Sequence, residues 1–363
     1  MAPDTRTHIY GILDLDRGAR LERIVLGDCD GEVRAVGYRD VAAAVGRAPL
    51  ADYGALDKPT LLRCLIAHQR VLEQLLPRHT VLPVKFGTVA ADDQELLRIL
   101  EMGYAELRRA LEASRGKVEF EVVATWQVEP VLAEIAAEPA IREMKAAVEL
   151  MPSEARIKGH IEVGRAVKQR LDERKVRLQG ELEAELRARG AGCAHRLRMR
   201  ETMDDTMVLN MAALVFTERQ AAFEEALRAL ADAHAHDVNF RCIGPLPPYS
   251  FMTVEIQRPD CDAIAGARMA LGLGEEASLR QVKETYTRAA AAWHPDRRPG
   301  DLIAANRFRE IAAAWETLAA YCDTAAALDN SYSFRREDVE KFVRVSVVEP
   351  GADLVQSRSI AVG

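Results

Sequence analysis

Residues 206–216 read TMVLNMAALVF, and ERQAAFEEALRALADAH follows at 218–234. The first stretch is a strand by its length and apolar character, and the second is a helix. HRLRMRE (195–201) precedes them, and HDVNFRCIGPL (236–246) and YSFMTVEI (249–256) follow. The order is therefore β-β-α-β-β, and a small α+β sandwich, ferredoxin-like or a variant of it, is the expected fold. In the last of these runs Tyr249 and Phe251 alternate with Ser250, which predicts one strand face carrying both aromatics.

Toward the N-terminus, THIYGILDL (7–15) reads as a strand and EVRAVGYRDVAAAV (32–45) as a strand or hairpin arm. TLLRCLIAHQRVLEQLL (60–76) is an amphipathic helix with Leu61, Leu65, Ile66, Leu72 and Leu76 at helical spacing. TVLPVKFGTVA (80–90) is a strand whose Pro83 favours an edge or a bulge. Asp92 and Asp93 are cap candidates for the next helix, and KVEFEVVATWQV (117–128) closes the region as an alternating strand. Beyond it, Ile157, Ile161, Val167, Leu171, Leu178, Leu182 and Leu186 keep helical spacing through a run of Arg, Lys and Glu. A two-helix connector or hairpin arm is expected there.

These readings divide the chain into an N-terminal α+β domain (1–127), a helical connector (128–192), a second α+β domain (193–260), an all-α module (261–328) and a tail (329–363). Asp260 to Gly266 reads as the linker before the module. The tail holds one strand-like run, KFVRVSVVE, and a polar, mobile end.

Composition narrows the function. The net charge of −7 argues against a general nucleic-acid binder. MVLNMAALVF, the longest apolar run, is about half of a membrane span. The six cysteines are scattered without a CxxC, as expected of reduced thiols in a cytosolic protein. No P-loop, GxGxxG after a strand, or GxSxG is present, and His234-x-His236 lacks a clear third metal ligand. No enzyme activity, metal or cofactor is expected.

AAAAWHPDRRPG (289–300) carries a different signal. Pro295 cannot continue a helix and pushes His294 out of the α region. Upstream, Leu279, Val282, Tyr286 and Trp293 share one helical face; downstream, Phe308, Ile311, Trp315, Leu318 and Cys322 repeat the spacing. The two helices can pack antiparallel with His294 and Asp296 exposed between them. Between Arg280 and Arg298, five basic residues stand against two acidic ones, a charge suited to an acidic protein surface.

Residues 269–319, with the opening Leu-Gly-Leu, the Tyr-x-x-x-Ala helix, the His-Pro-Asp and the Phe-x-x-Ile-x-x-Ala-Trp helix, resemble a J-domain of the DnaJ type. The resemblance implies that His294, Pro295, Asp296, Lys283 and Arg288 engage an ATP-driven chaperone of the DnaK type. Ala290, Ala291 and Ala292 stand where that family is usually basic and bulky, so a weaker electrostatic contact is expected.

YGILDL near the start, TVLPVKFGTV at 80–89 and GPLPPYSF at 244–251, with DDTMVLNMAALVFTERQAAFEEAL between the last two, resemble the GvpL/GvpF family of gas-vesicle accessory proteins over about residues 7–256. Leu246 stands where that family usually has Trp. The motif residues Pro83, Phe86, Gly87, Gly244, Pro245, Pro247, Pro248, Tyr249 and Phe251 read as structural: strand ends, a tight turn and a stiffened approach to the last strand. The resemblance implies a cytoplasmic, vesicle-associated protein that contacts the shell protein and other accessory proteins, with a DnaK-type chaperone as a further partner. A general co-chaperone for other clients, and a structural vesicle component with an inactive J-domain, are the alternatives.

Overall fold

The structure is a computed structural model that describes residues 6–15, 33–47, 53–297, 300–324 and 331–350. Cys29, Arg298 and the polar end 351–363 lie outside the described residues. The chain begins with strands β1 (Thr7–Asp14), β2 (Arg34–Tyr38) and β3 (Val41–Arg47), helix α1 (Lys58–Leu75), and strands β4 (Val81–Pro83) and β5 (Val89–Ala90). Helix α2 (Asp93–Ser114), β6 (Lys117–Trp126) and helices α3 (Val128–Ala137), α4 (Pro139–Glu149) and α5 (Ser153–Arg189) follow. Then come β7 (Ala194–Met199), β8 (Met207–Phe216), α6 (Gln220–Ala233), β9 (Val238–Leu246) and β10 (Thr253–Gln257). The last part holds α7 (Cys261–Leu271), β11 (Glu276–Ala277), α8 (Leu279–Trp293), α9 (Leu302–Thr324), β12 (Tyr332–Ser333), α10 (Arg336–Val339) and β13 (Arg344–Val348). The fold is α+β with a helical C-terminal module, as expected. The chain splits into two compact units, one of Met1–Leu56, Val84–Arg109 and Val254–Val347, the other of Asp57–Pro83, Ala110–Thr253 and Val348–Gly363.

In the first unit β3 lies between β2 and β1, antiparallel to both. β3 is buried from Val41 to Gly46, so a run of small and β-branched residues serves as a central strand. Asp92 accepts the Glu95 N–H (2.8 Å) while Glu95 accepts the Ala91 N–H (2.7 Å), which satisfies two free donors at the start of α2. Asp93, the other cap candidate, pairs with Arg34 instead.

The helical module belongs to the same unit. The expected linker Asp260–Gly266 is a helix: Asp260 accepts the N–H groups of Asp262 and Ala263, and Gly272 at φ 68 ends α7 in the left-handed region. Ile264, Ala267 and Leu271 bury one face of it against Val282, Ile311, Ala314 and Leu318. Ser278 and Gln281 form a capping box on α8. The module does not end at residue 328. β11 pairs with β12, Tyr321 donates to the Ser333 carbonyl (2.8 Å), and Phe334 and Val339 are buried in the helical core.

In the second unit the sheet order is β7-β8-β6-β9, all antiparallel. With α3 to α5 between β6 and β7, and α6 between β8 and β9, this is the β-α-β-β-α-β arrangement. β6, assigned from sequence to the domain ending at 127, is therefore a central strand here. The helical run 128–192 is the crossover from β6 to β7 of one sheet. Alternating apolar residues in KVEFEVVATW showed a strand but not which sheet receives it. β10, expected in this sheet, pairs with β13.

Phe120, Val122, Ala124, Val208, Leu209, Met211, Ala213 and Val215 form one face of the sheet, covered by Leu171, Leu182 and Leu186 of α5 and Phe223, Leu227 and Leu230 of α6. The expected stripe on α5 holds from Val167 onward. Ile157 and Ile161 are 70% and 50% exposed, and Gly159 and Val163 are buried in their place. A Cβ on Gly159 would stand 2.6 Å from Val148 of α4, so the glycine admits the neighbouring helix and sets which face packs.

Candidate functional site

α8 and α9 run antiparallel, with Tyr286 stacked on Trp315 at 5.1 Å and His294 edge-on to Phe308 at 5.3 Å. Pro295 stops α8, and His294 takes extended backbone (φ −60, ψ 132). The Asp296 N–H donates to His294 Nδ1 (3.3 Å), and the Asp296 carboxylate lies 3.6 Å from the same nitrogen. Arg297 folds back onto the Ala291 carbonyl (3.1 Å). The loop is thus tied to itself while its side chains face water: His294 is 45% and Asp296 88% exposed. Lys283 and Arg288 are exposed on α8, with no ion pair among the described residues. Arg280, one turn earlier, is held by Glu284 at 2.7 Å. The structure therefore brings His294, Pro295 and Asp296 together at one end of α8 and spaces Lys283 and Arg288 along it.

The motif residues of the N-terminal part take structural positions. Pro83 ends β4 and is buried. Phe86 packs on Tyr53 (4.8 Å) and His8 (5.8 Å). Gly87 at φ 85 makes the turn that Thr88 closes on the Lys85 carbonyl. Only a residue without Cβ adopts that φ freely.

GPLPPYSF behaves differently from the expected strand. β9 ends at Leu246, and residues 247–252 turn, with the Phe251 and Met252 N–H groups donating to the Pro248 carbonyl. Pro247 and Pro248 lack the N–H that a ladder requires. Gly244 is required by contact: a Cβ there would lie 2.5 Å from Phe120 and 2.9 Å from the Glu119 carbonyl. Phe251 packs on Ala212 and Leu214, on the sheet face away from the helices.

That face also carries a polar cluster which sequence reasoning missed. Glu119 is fully buried; its carboxyl oxygens lie 2.7 Å from the Ser250 nitrogen and 2.6 Å from the Ser250 hydroxyl. Burial pushes its pKa up to about 7 against the opposing Ser250 hydrogen bonds. Arg200 pairs with Glu121 (2.7 Å) and donates to Asn210 (3.1 Å). Arg198 donates to the carbonyls of Ser250 and Pro350, and Arg196 pairs with Glu349. Arg198, Arg200, Glu121, Tyr249, Ser250 and Pro350 are among the residues lining a cleft of about 460 Å³. The Tyr249 hydroxyl is buried and has no hydrogen-bond partner among the described residues. Two signals could have found this site: the glutamates at alternate positions of an apolar strand, and the arginines at alternate positions of HRLRMRE.

His234, weighed above as a metal ligand, caps α6 and pairs with Glu185 at 3.0 Å. Among the described residues no three His, Cys, Asp or Glu side chains gather to hold a metal, and no helix is long and apolar enough to cross a membrane. The described cysteines are free.

The architecture is that of an α+β protein bearing a J-type helical hairpin. Residues 6–253 match the family model described as gas vesicle synthesis protein GvpL/GvpF, and residues 269–322 match the DnaJ domain. A relative described as gas vesicle protein F, from Streptomyces sp. (strain CB03234), is 31% identical over 254 residues, spanning 68% of this chain and 99% of its own. Among solved structures, gas vesicle protein GvpF from Anabaena sp. PCC7120 is similar in fold at 19% identity, with a TM-score of 0.56 over 68% of this chain and 97% of that one. GvpF from Microcystis aeruginosa is similar at 17% identity, with a TM-score of 0.50 over 68% and 98%. The chain belongs to the GvpL/GvpF family of gas vesicle proteins and carries a C-terminal DnaJ domain.

Proposed function

We propose that this protein is a cytoplasmic accessory factor in gas vesicle assembly that holds the shell protein or other accessory proteins and recruits a DnaK-type chaperone to them. The observation that carries this reading is the fusion of an exposed His294-Pro295-Asp296 loop to a GvpL/GvpF chain. A wall that encloses gas needs a subunit with a large apolar face, which is prone to aggregate before assembly. A partner with exposed strand edges, such as β7 or β9, holds such a subunit by strand addition. Tethering the J-domain to the same chain replaces a second encounter with a high local concentration of chaperone. The protein performs no catalysis of its own in this reading; His294 and Asp296 are too exposed to form a buried catalytic pair.

The test is a pull-down from vesicle-forming cells with wild type and the His294→Gln variant. Recovery of both shell protein and DnaK-type chaperone by wild type, with loss of the chaperone alone in the variant, is expected. Recovery of diverse unrelated clients would favour a general co-chaperone. Shell protein without chaperone in both samples would favour a structural component with an inactive J-domain.

A further inference from the structure

Strand β7 and the residue after it, whose N–H still donates to the Asn210 carbonyl of β8, place Arg196, Arg198 and Arg200 at alternate positions, so their side chains leave one face of the sheet about 7 Å apart. Each has a different occupation. Arg200 is neutralised by Glu121. Arg198 grips two main-chain carbonyls, of Ser250 and Pro350. Arg196 lies over the Phe251 ring at 5.4 Å and pairs with Glu349. Two arginines are therefore spent on consecutive residues of the segment that follows β13: a carboxylate at 349 and a carbonyl at 350. Beside them the cleft of about 460 Å³ is large enough for a few residues of a peptide. Tyr249 is among its lining residues, and the tyrosine hydroxyl itself is buried.

We propose that this cleft is a binding site for an extended acidic peptide segment of a partner protein, and that the chain's own Glu349–Pro350 occupies its mouth until such a segment displaces it. The chemistry is specific to a peptide because the arginines already read a side-chain carboxylate and a main-chain carbonyl in sequence. Charge agrees. Without Glu349, Arg196, Arg198 and Arg200 face Glu121 as the nearest anion, apart from Glu119 buried beneath Ser250. The site goes beyond the vesicle-assembly reading and does not depend on it, since the assay below contains no vesicle component.

The probe is a fluorescent peptide of sequence VVEPGADL, matching residues 347–354. It is titrated into the full chain, a chain ending at Val348, and the full chain with Glu349→Gln, followed by anisotropy. The tethered segment competes at an effective concentration on the order of millimolar. The shortened chain should therefore bind the peptide at least about tenfold more tightly than wild type. The Glu349→Gln chain should fall between them. Arg198→Ala in the shortened chain should remove binding, and a peptide with Gln in place of its Glu should bind weakly. Equal binding of the Glu and Gln peptides to the shortened chain, once circular dichroism shows it folded, would overturn the proposal. If the shortened chain does not fold, the full-length Glu349→Gln chain decides, and no gain over wild type rejects the site. Displacement by inorganic phosphate as effective as by unlabelled peptide would mean a small-anion site and would also reject it.

Discussion

The carboxyl of Glu119 is fully buried against Ser250, whose hydroxyl lies 2.6 Å from one oxygen and whose main-chain nitrogen lies 2.7 Å from the other. This pair anchors the 247–252 turn to a central strand of the sheet. Its protonation makes stability depend on pH. The folded-state pKa, about 7, is above the ordinary 4.5, so the folded chain keeps a proton that the unfolded chain releases. The stabilisation from this group is fully present below about pH 4.5 and is lost as pH rises through about 7. Glu121 adds to the upward shift and Arg200 opposes it. Glu119→Gln preserves both hydrogen bonds in neutral form. Thermal melts should show wild type losing on the order of 2–3 kcal/mol relative to the Gln variant between pH 5 and 8. Parallel pH profiles would show that Glu119 is already ionised in the fold.

Gly244→Ala tests the close approach of β9 to β6. The added methyl would meet Phe120 and the Glu119 carbonyl inside van der Waals distance. A loss of about 1–3 kcal/mol is expected from denaturant unfolding. Gly164→Ala is the control, since nothing lies near its Cβ position and it sits within α5. That variant should be neutral or slightly stabilising.

The core of the helical module includes the segment after residue 330. Phe334 and Val339 are buried in its core, and Arg335 pairs with Glu275 and Glu276. A fragment of about residues 260–345 should melt cooperatively, and one ending near 328 should be markedly less stable. Phe334→Ala in the longer fragment should cost about 3–5 kcal/mol. Identical melting of the two fragments would place the boundary where the sequence reading had it.

His294→Gln should leave the module folded, with at most about 1 kcal/mol lost from the contact with Phe308. It should abolish stimulation of a DnaK-type ATPase. A matched circular-dichroism melt separates lost function from lost fold. No stimulation by wild type would mean that the loop keeps its shape without the activity.

Ala291 and Ala292 are exposed on the last turn of α8, where the J-domain family is usually basic. Ala292→Arg adds a cation one turn after Arg288. ATPase stimulation should rise several-fold at low salt and converge with wild type at high salt, because the contact is electrostatic and screened. A gain that persists unchanged in high salt would point to packing instead.

What the sequence by itself determined is local. Pro295 ends α8, the Ser278–Gln281 box starts it, and the spacing of Phe308, Ile311, Trp315 and Leu318 sets the face that α9 buries. Each of these acts within about one helical turn, so neighbouring residues suffice to read it. The helix α7 was also legible, in Asp260 and Gly272, but the polar start of the segment was read as a linker. Tertiary structure alone decided which sheet takes β6, which residues close the helical module, and where Glu119 goes. Glu119 and Ser250 are 131 residues apart, and nothing near either one names the other. A strand's alternation states that it has an apolar face but not whose apolar face it meets. That choice is made by the combined burial of β8, α5 and α6, a property of the assembled sheet and not of any one segment.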